Sequence, residues 1–156
     1  MPIPWSHSMS GCLQYDALMS EQVPAPFSGD REMRELLERH WAASDANDFA
    51  VEHEIYGDDA VLSYPQSGEL VRGRHNIQES RTVQPSKKRF TVQRIIGNGD
   101  LWVTEFVLSY DGVPYYTVSI MEFSGGKVAR ETQYFGQAFK PGPSRAHLVD
   151  LTGANR

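Results

Sequence analysis

From Met33 onward the apolar positions recur with a helical period. Met33, Leu36, Leu37, His40, Trp41 and Ser44 share one face of a helix, with Asp30 as its expected cap. His40 therefore falls on the buried stripe, between Leu37 and Trp41. A second helix is predicted from Asn47-Asp48 to Tyr56, with Phe49, His53 and Tyr56 on one face and Gly57 as the stop. Asp58-Asp59 then reads as a turn in which the carboxylates cap backbone groups. Beyond it the period changes to two. Residues 60–65 and 69–72 read as a short hairpin, residues 73–81 as a third helix, and residues 89–96, 101–110, 115–123 and 128–139 as longer strands. Gly97-Asn98-Gly99-Asp100, Asp111-Gly112 and Gly125-Gly126 mark the turns between them. Helices followed by a meander predict an α+β fold.

Prolines at 2, 4, 24 and 26 interrupt any period in the first residues. Residues 1–28 are expected to be an extension, 29–140 one domain and 141–156 a tail. At 156 residues the chain suits a single core. A net charge of −5 argues against a nucleic-acid partner, since phosphate binding needs clustered Lys and Arg. Cys12 is the only cysteine, which excludes an intrachain disulfide. His7, His75 and His147 lack ligand-spaced partners, so neither metal nor cofactor is expected. No membrane span or charged leader is legible, and the expected location is cytoplasmic.

Several strings carry a resemblance: Tyr56-Gly57-Asp58-Asp59-Ala60, Tyr64-Pro65-Gln66-Ser67-Gly68, Arg72-Gly73-Arg74, Glu122-Phe123 before Gly125-Gly126-Lys127, and Tyr134-Phe135. In this order over residues 30–140 the chain resembles the nuclear transport factor two-like superfamily, its SnoaL-like members above all. Ketosteroid isomerases, limonene epoxide hydrolases and polyketide cyclases are relatives. The resemblance implies a cone-shaped α+β barrel around a cavity for a small apolar molecule. Enzymes and non-enzymes share such folds, so function has to come from the site.

Laid on ketosteroid isomerase, the oxyanion-donating phenol corresponds to His40, the carboxylate base to Tyr64 and the protonated acid to Met121. On epoxide hydrolase, the arginine and two aspartates correspond to Phe106, Leu108 and Gln133. Neither catalytic set is intact. The same correspondences imply that Trp102, Thr104, Phe106, Leu108 and Tyr110 face inward on the middle strand. Thr117, Ser119 and Met121 do so on the next, and Glu131, Gln133 and Phe135 on the last.

Two ionisable groups then stand out. His40 could act as a donor or as a general acid or base, or could be a core histidine satisfied by a carbonyl or by Tyr56. Glu131 is the expected carboxylate inside the cavity, as a proton-transfer partner of His40 or as half of an ion pair. Tyr56 would orient His40 or touch the ligand, or be an aromatic with one satisfied hydroxyl. The expected catalytic residues are thus His40, Glu131 and Tyr56. The expected ligand contacts are Tyr64, Trp102, Thr104, Phe106, Leu108, Tyr110, Met121 and Gln133. Two functions follow: a cofactor-free isomerase, dehydratase or cyclase, or a non-catalytic carrier or interaction module. Val103, Val107, Val118 and Ile120 alternate onto the other sheet face and predict a homodimer there.

Overall fold

The computed structural model describes residues 28–152, so residues 1–27 of the expected extension lie outside the described part. Three helices precede or interrupt a six-stranded sheet: α1 (Ser28–Ala46), α2 (Phe49–His53), β1 (Tyr56–Tyr64), β2 (Glu69–Arg72), α3 (Arg74–Thr82), β3 (Lys88–Asn98), β4 (Leu101–Tyr110), β5 (Val113–Ser124) and β6 (Lys127–Gln137). A short 3-10 turn at Pro143–Leu148 ends the described chain's regular structure. The strand order is β2-β1-β6-β5-β4-β3. All neighbours are antiparallel except β1 and β6, which run parallel and make the sheet mixed. Among the described residues no helix is long and apolar enough to cross a membrane.

The chain breaks between α1 and α2 at Asn47, whose φ of 55° is left-handed. Asn tolerates that conformation better than most residues. The Asp48 carboxylate then accepts from Val51 N–H and caps α2. α2 stops earlier than its helical spacing predicts. Tyr56 pairs with Val128 across the parallel β1–β6 contact instead, and Val128 N–H donates to Ile55 C=O at 2.9 Å. Tyr56 is therefore a strand residue, and Gly57 is no helix stop. Asp58 and Asp59 likewise belong to β1, and Asp58 pairs with Arg74 at 2.7 Å.

Along β4, Trp102, Thr104, Phe106 and Leu108 are buried while Val103, Glu105 and Val107 are half-buried. That alternation is the strand period written in packing. α1 lies across the buried face: Trp41 Nε1–H donates to Thr104 Oγ1 at 3.1 Å, and its ring sits 4.5 Å from that of Phe106. The start of α1 is fastened to the β3–β4 turn, where Gly99 N–H donates to Asp30 at 2.8 Å. Arg34 spans further along, donating to Ile95 C=O and lying over the Trp102 ring. Asp45, at the other end of α1, accepts from Phe90 N–H of edge strand β3. Leu37, Trp41, Leu62, Ile77, Trp102, Phe106 and Met121 belong to one continuous core between helices and sheet.

Candidate functional site

One end of that core stays open as a cavity of about 690 Å³. Trp41, Phe90, Phe106, Leu108, Tyr110 and Phe135 form its aromatic and apolar side, and Gln66, Ser67, Glu69, Ser80, Gln84 and Ser86 add polar groups. A layer of buried polar groups lies at its base. Each is there for a local reason. Ile77 and Arg81 are four residues apart on α3, so the helix turns both toward the core. Glu131 and Gln133 are two apart on β6 and share its inner face, with Ser119 of β5 opposite Gln133.

Arg81 ties this layer together. Its side chain is 12% exposed, and it donates to Glu52 Oε1 and to Glu131 Oε2, both at 3.1 Å. Glu131 is wholly buried. Its carboxylate also accepts from Ser119 Oγ at 2.6 Å, from Gln133 Nε2 at 2.7 Å and, in a very short contact, from the Tyr56 hydroxyl. Burial alone would raise the Glu131 pKa; the Arg81 charge and the Ser119 and Tyr56 donors outweigh it and hold the group below the ordinary carboxylate range. Burial would likewise lower the Arg81 pKa, but Tyr56, Glu131 and Glu52 hold it well above the usual guanidinium value. The Tyr56 phenol is pushed far up by burial and by Glu131.

His40 is fixed just as closely. Its Nδ1 lies 2.7 Å from the Glu52 carbonyl oxygen. A carbonyl only accepts, so the proton sits on Nδ1 and Nε2 carries a bare lone pair. That Nε2 is buried without a partner among the described residues. Burial first, then the Arg81 charge, lower the His40 pKa to about 4, so the ring is neutral near pH 7. His53 repeats the pattern: Nδ1 meets the Phe49 carbonyl at 2.7 Å, and burial lowers its pKa.

Of the residues expected at a ligand site, Tyr64, Phe106, Leu108, Tyr110 and Gln133 line the cavity. Trp102, Thr104 and Met121 do not. They share the inner sheet face but are sealed in the core, Trp102 donating to Gly99 C=O and Thr104 accepting from Trp41. The expected catalytic trio lies behind the wall. His40 and Glu131 share no hydrogen bond; Tyr56 stands between them, its ring 5.9 Å from the His40 ring and its hydroxyl on Glu131. His40 Nε2 has no proton to give an oxyanion, and the Glu131 oxygens are already taken by four donors.

Arg81, Glu52 and Lys88 also line the wall and were not expected from the sequence. The spacing of Arg81 from Ile77, the only buried apolar residue of α3, is the signal that points to it. At the rim, the Gln66 side-chain amide pairs with both the N–H and the C=O of Phe135, fastening the β1–β2 turn to β6. Among the described residues no group of three His, Cys, Asp or Glu is placed to hold a metal ion.

No curated protein matches the chain. Among solved structures, an NTF-2 like protein of unknown function from Burkholderia xenovorans is 51% identical over 80% of this chain and 98% of its own, with a TM-score of 0.74. A ketosteroid isomerase candidate from Kribbella flavida is 22% identical over 80% of this chain and 93% of its own, also at 0.74. An LEH-like epoxide hydrolase from M. tuberculosis is 21% identical over 68% and 84%, at 0.58. The last two share the fold. The SnoaL-like domain profile matches residues 34–131, well over half of the chain, and with the Burkholderia likeness this makes the protein a member of the SnoaL-like domain family.

Proposed function

We propose that the protein binds a small, largely apolar molecule in this cavity and holds one oxygen of it against Arg81, Gln133 and Tyr64. The observation that carries the reading is Arg81 itself. Both arms of its guanidinium are anchored, one on Glu52 and one on Glu131, so the side chain cannot swing. Its remaining donors are preorganised at the base of an aromatic chamber. A cavity of that size with aromatic walls and convergent polar groups is the usual form of a small-ligand site. The apolar walls supply most of the affinity and the donors set orientation.

An anilinonaphthalene dye should therefore bind the native protein and be displaced by hydrophobic ketones. Phe106→Arg should weaken dye binding by at least roughly tenfold, because it places an unpaired charge among apolar walls. Unchanged affinity in that variant would overturn the reading.

A second reading, a cofactor-free isomerase, dehydratase or cyclase, is favoured by the titratable groups that line the wall: Tyr64, Tyr110 and Lys88. Mass spectrometry of a compound after incubation with the protein separates the two. Recovery unchanged supports binding alone; a rearranged or dehydrated product supports catalysis.

The same proposal includes a cytoplasmic homodimer. Val103, Val107, Val118 and Ile120 lie together on the sheet face away from the helices, beside the exposed Ile96, Tyr116 and Tyr134. A face of this kind calls for a cover. Light scattering at micromolar concentration should give twice the 17.6 kDa chain mass; the monomer mass would count against it.

A further inference from the structure

Lys88 opens β3 and is 6% exposed, yet it lines the cavity. The other three lysines, Lys87, Lys127 and Lys140, are exposed. A buried ammonium ordinarily has its donors satisfied by several acceptors or by an opposite charge. Lys88 has little of either. Its Nζ makes one long hydrogen bond, 3.5 Å to the Arg81 carbonyl, and rests 4.9 Å from the centre of the Phe49 ring. Among the described residues it enters no ion pair; Arg81 takes one oxygen of Glu52 and one of Glu131, and the second Glu52 oxygen lies buried without a hydrogen bond. The amine is thus held at the wall of the cavity with one long hydrogen bond and the Phe49 ring as its close partners among the described residues.

We propose that Lys88 is a reversible carbonyl-capturing site, forming an imine with an aldehyde or ketone seated in the cavity. The proposal rests on the cavity being a small-ligand site. The neutral amine attacks the carbonyl carbon, and its proton passes to the carbonyl oxygen to give a carbinolamine. The hydroxyl then leaves as water, taking up the remaining N–H proton, while the C=N bond forms; hydrolysis reverses both steps, and nothing is oxidised or reduced. Several features of the wall suit this chemistry. Burial, reinforced by the Arg81 charge and opposed by Glu52, lowers the Lys88 pKa and raises the share of free amine. The aromatic walls suit the body of an aromatic aldehyde, and the Arg81 donors can polarise its oxygen.

Incubation of the full chain with a naphthaldehyde and cyanoborohydride at pH 7 traps any imine as a stable secondary amine, and peptide mapping locates it. Lys88 should be labelled distinctly faster than Lys87, Lys127 or Lys140, because burial leaves more of its amine unprotonated. Its labelling rate should level off at a lower pH than theirs, and saturating anilinonaphthalene dye should suppress it. Even labelling of all four lysines, or Lys88 labelling indifferent to the dye, would overturn the proposal. Dye binding with even labelling leaves the cavity reading standing and removes only the imine. Failure of the dye to bind the native protein removes the cavity reading on its own.

Discussion

Replacing Arg81 with Met is expected to cost about 3–5 kcal/mol of stability, the usual consequence of stranding buried charges. Among the described residues Arg81 is the only group that donates to both Glu52 and Glu131, and the side chains of both carboxylates are essentially inaccessible to water. For a domain of this size the loss corresponds to a fall in Tm of roughly 6–20 °C. The sign of the pH response distinguishes this cause from simple loss of packing. In the variant a carboxyl deprived of its cation is easier to protonate, so mild acid should recover part of the loss. Adding Glu131→Gln to Arg81→Met should recover part of it at neutral pH as well, since the double variant no longer strands that charge. Arg81→Lys should fall between, because a single ammonium cannot reproduce a fork that reaches two carboxylates in fixed directions. Thermal melts of the four proteins at pH 7 and pH 5 check all of this. A single variant within about 1 kcal/mol of the parent would mean that the ion network does not hold the site together.

How far the sequence disclosed this site depends on which kind of signal each residue carries. Strand facing was legible because alternation is local: the inward row on β4 follows from a period of two, and four of its five expected members are fully buried. The same rule cannot say how deep along the row the cavity runs. Trp102 and Thr104 face inward but are closed off by Arg34 and Trp41 of α1, and that closure depends on where a helix lands. The end of α2 was misread for a related reason. Phe49, His53 and Tyr56 do keep helical spacing, but the parallel pairing of Tyr56 with Val128 overrides it, and no local pattern announces a partner so far along the chain. Arg81 was hidden by its position near the end of α3, where an arginine ordinarily serves the helix terminus. Glu131 was found because it alternates inward; that its oxygens are saturated depends on Tyr56, Ser119, Gln133 and Arg81 arriving from three strands and a helix.

Acidification from pH 6.5 toward 4 should destabilise the protein by roughly 3 kcal/mol through His40 alone, from a pKa lowered from 6.5 to about 4 at 1.36 kcal/mol per unit. The direction follows from proton binding. The folded ring holds its proton less tightly than the unfolded one, so protons favour unfolding wherever the pH lies below the unfolded value. The loss begins near pH 6.5 and is complete once the pH is below about 4. Burial is the principal cause, and the groups facing the ring divide: Arg81 repels the imidazolium, whereas Glu131 and Glu52 favour it. His53, also lowered, adds to the same slope. Glu131 adds a further loss at more acidic pH, because its folded pKa is depressed and its contribution disappears as the pH falls through that value. His40→Gln keeps an amide donor for the Glu52 carbonyl but has nothing to titrate in this range. It should be less stable than the parent at pH 7.5 and lose distinctly less on acidification, so the two Tm profiles converge by about 6–12 °C across the window. Parallel profiles would show that His40 keeps its ordinary affinity for protons, and that the buried lone pair on Nε2 is satisfied by a donor.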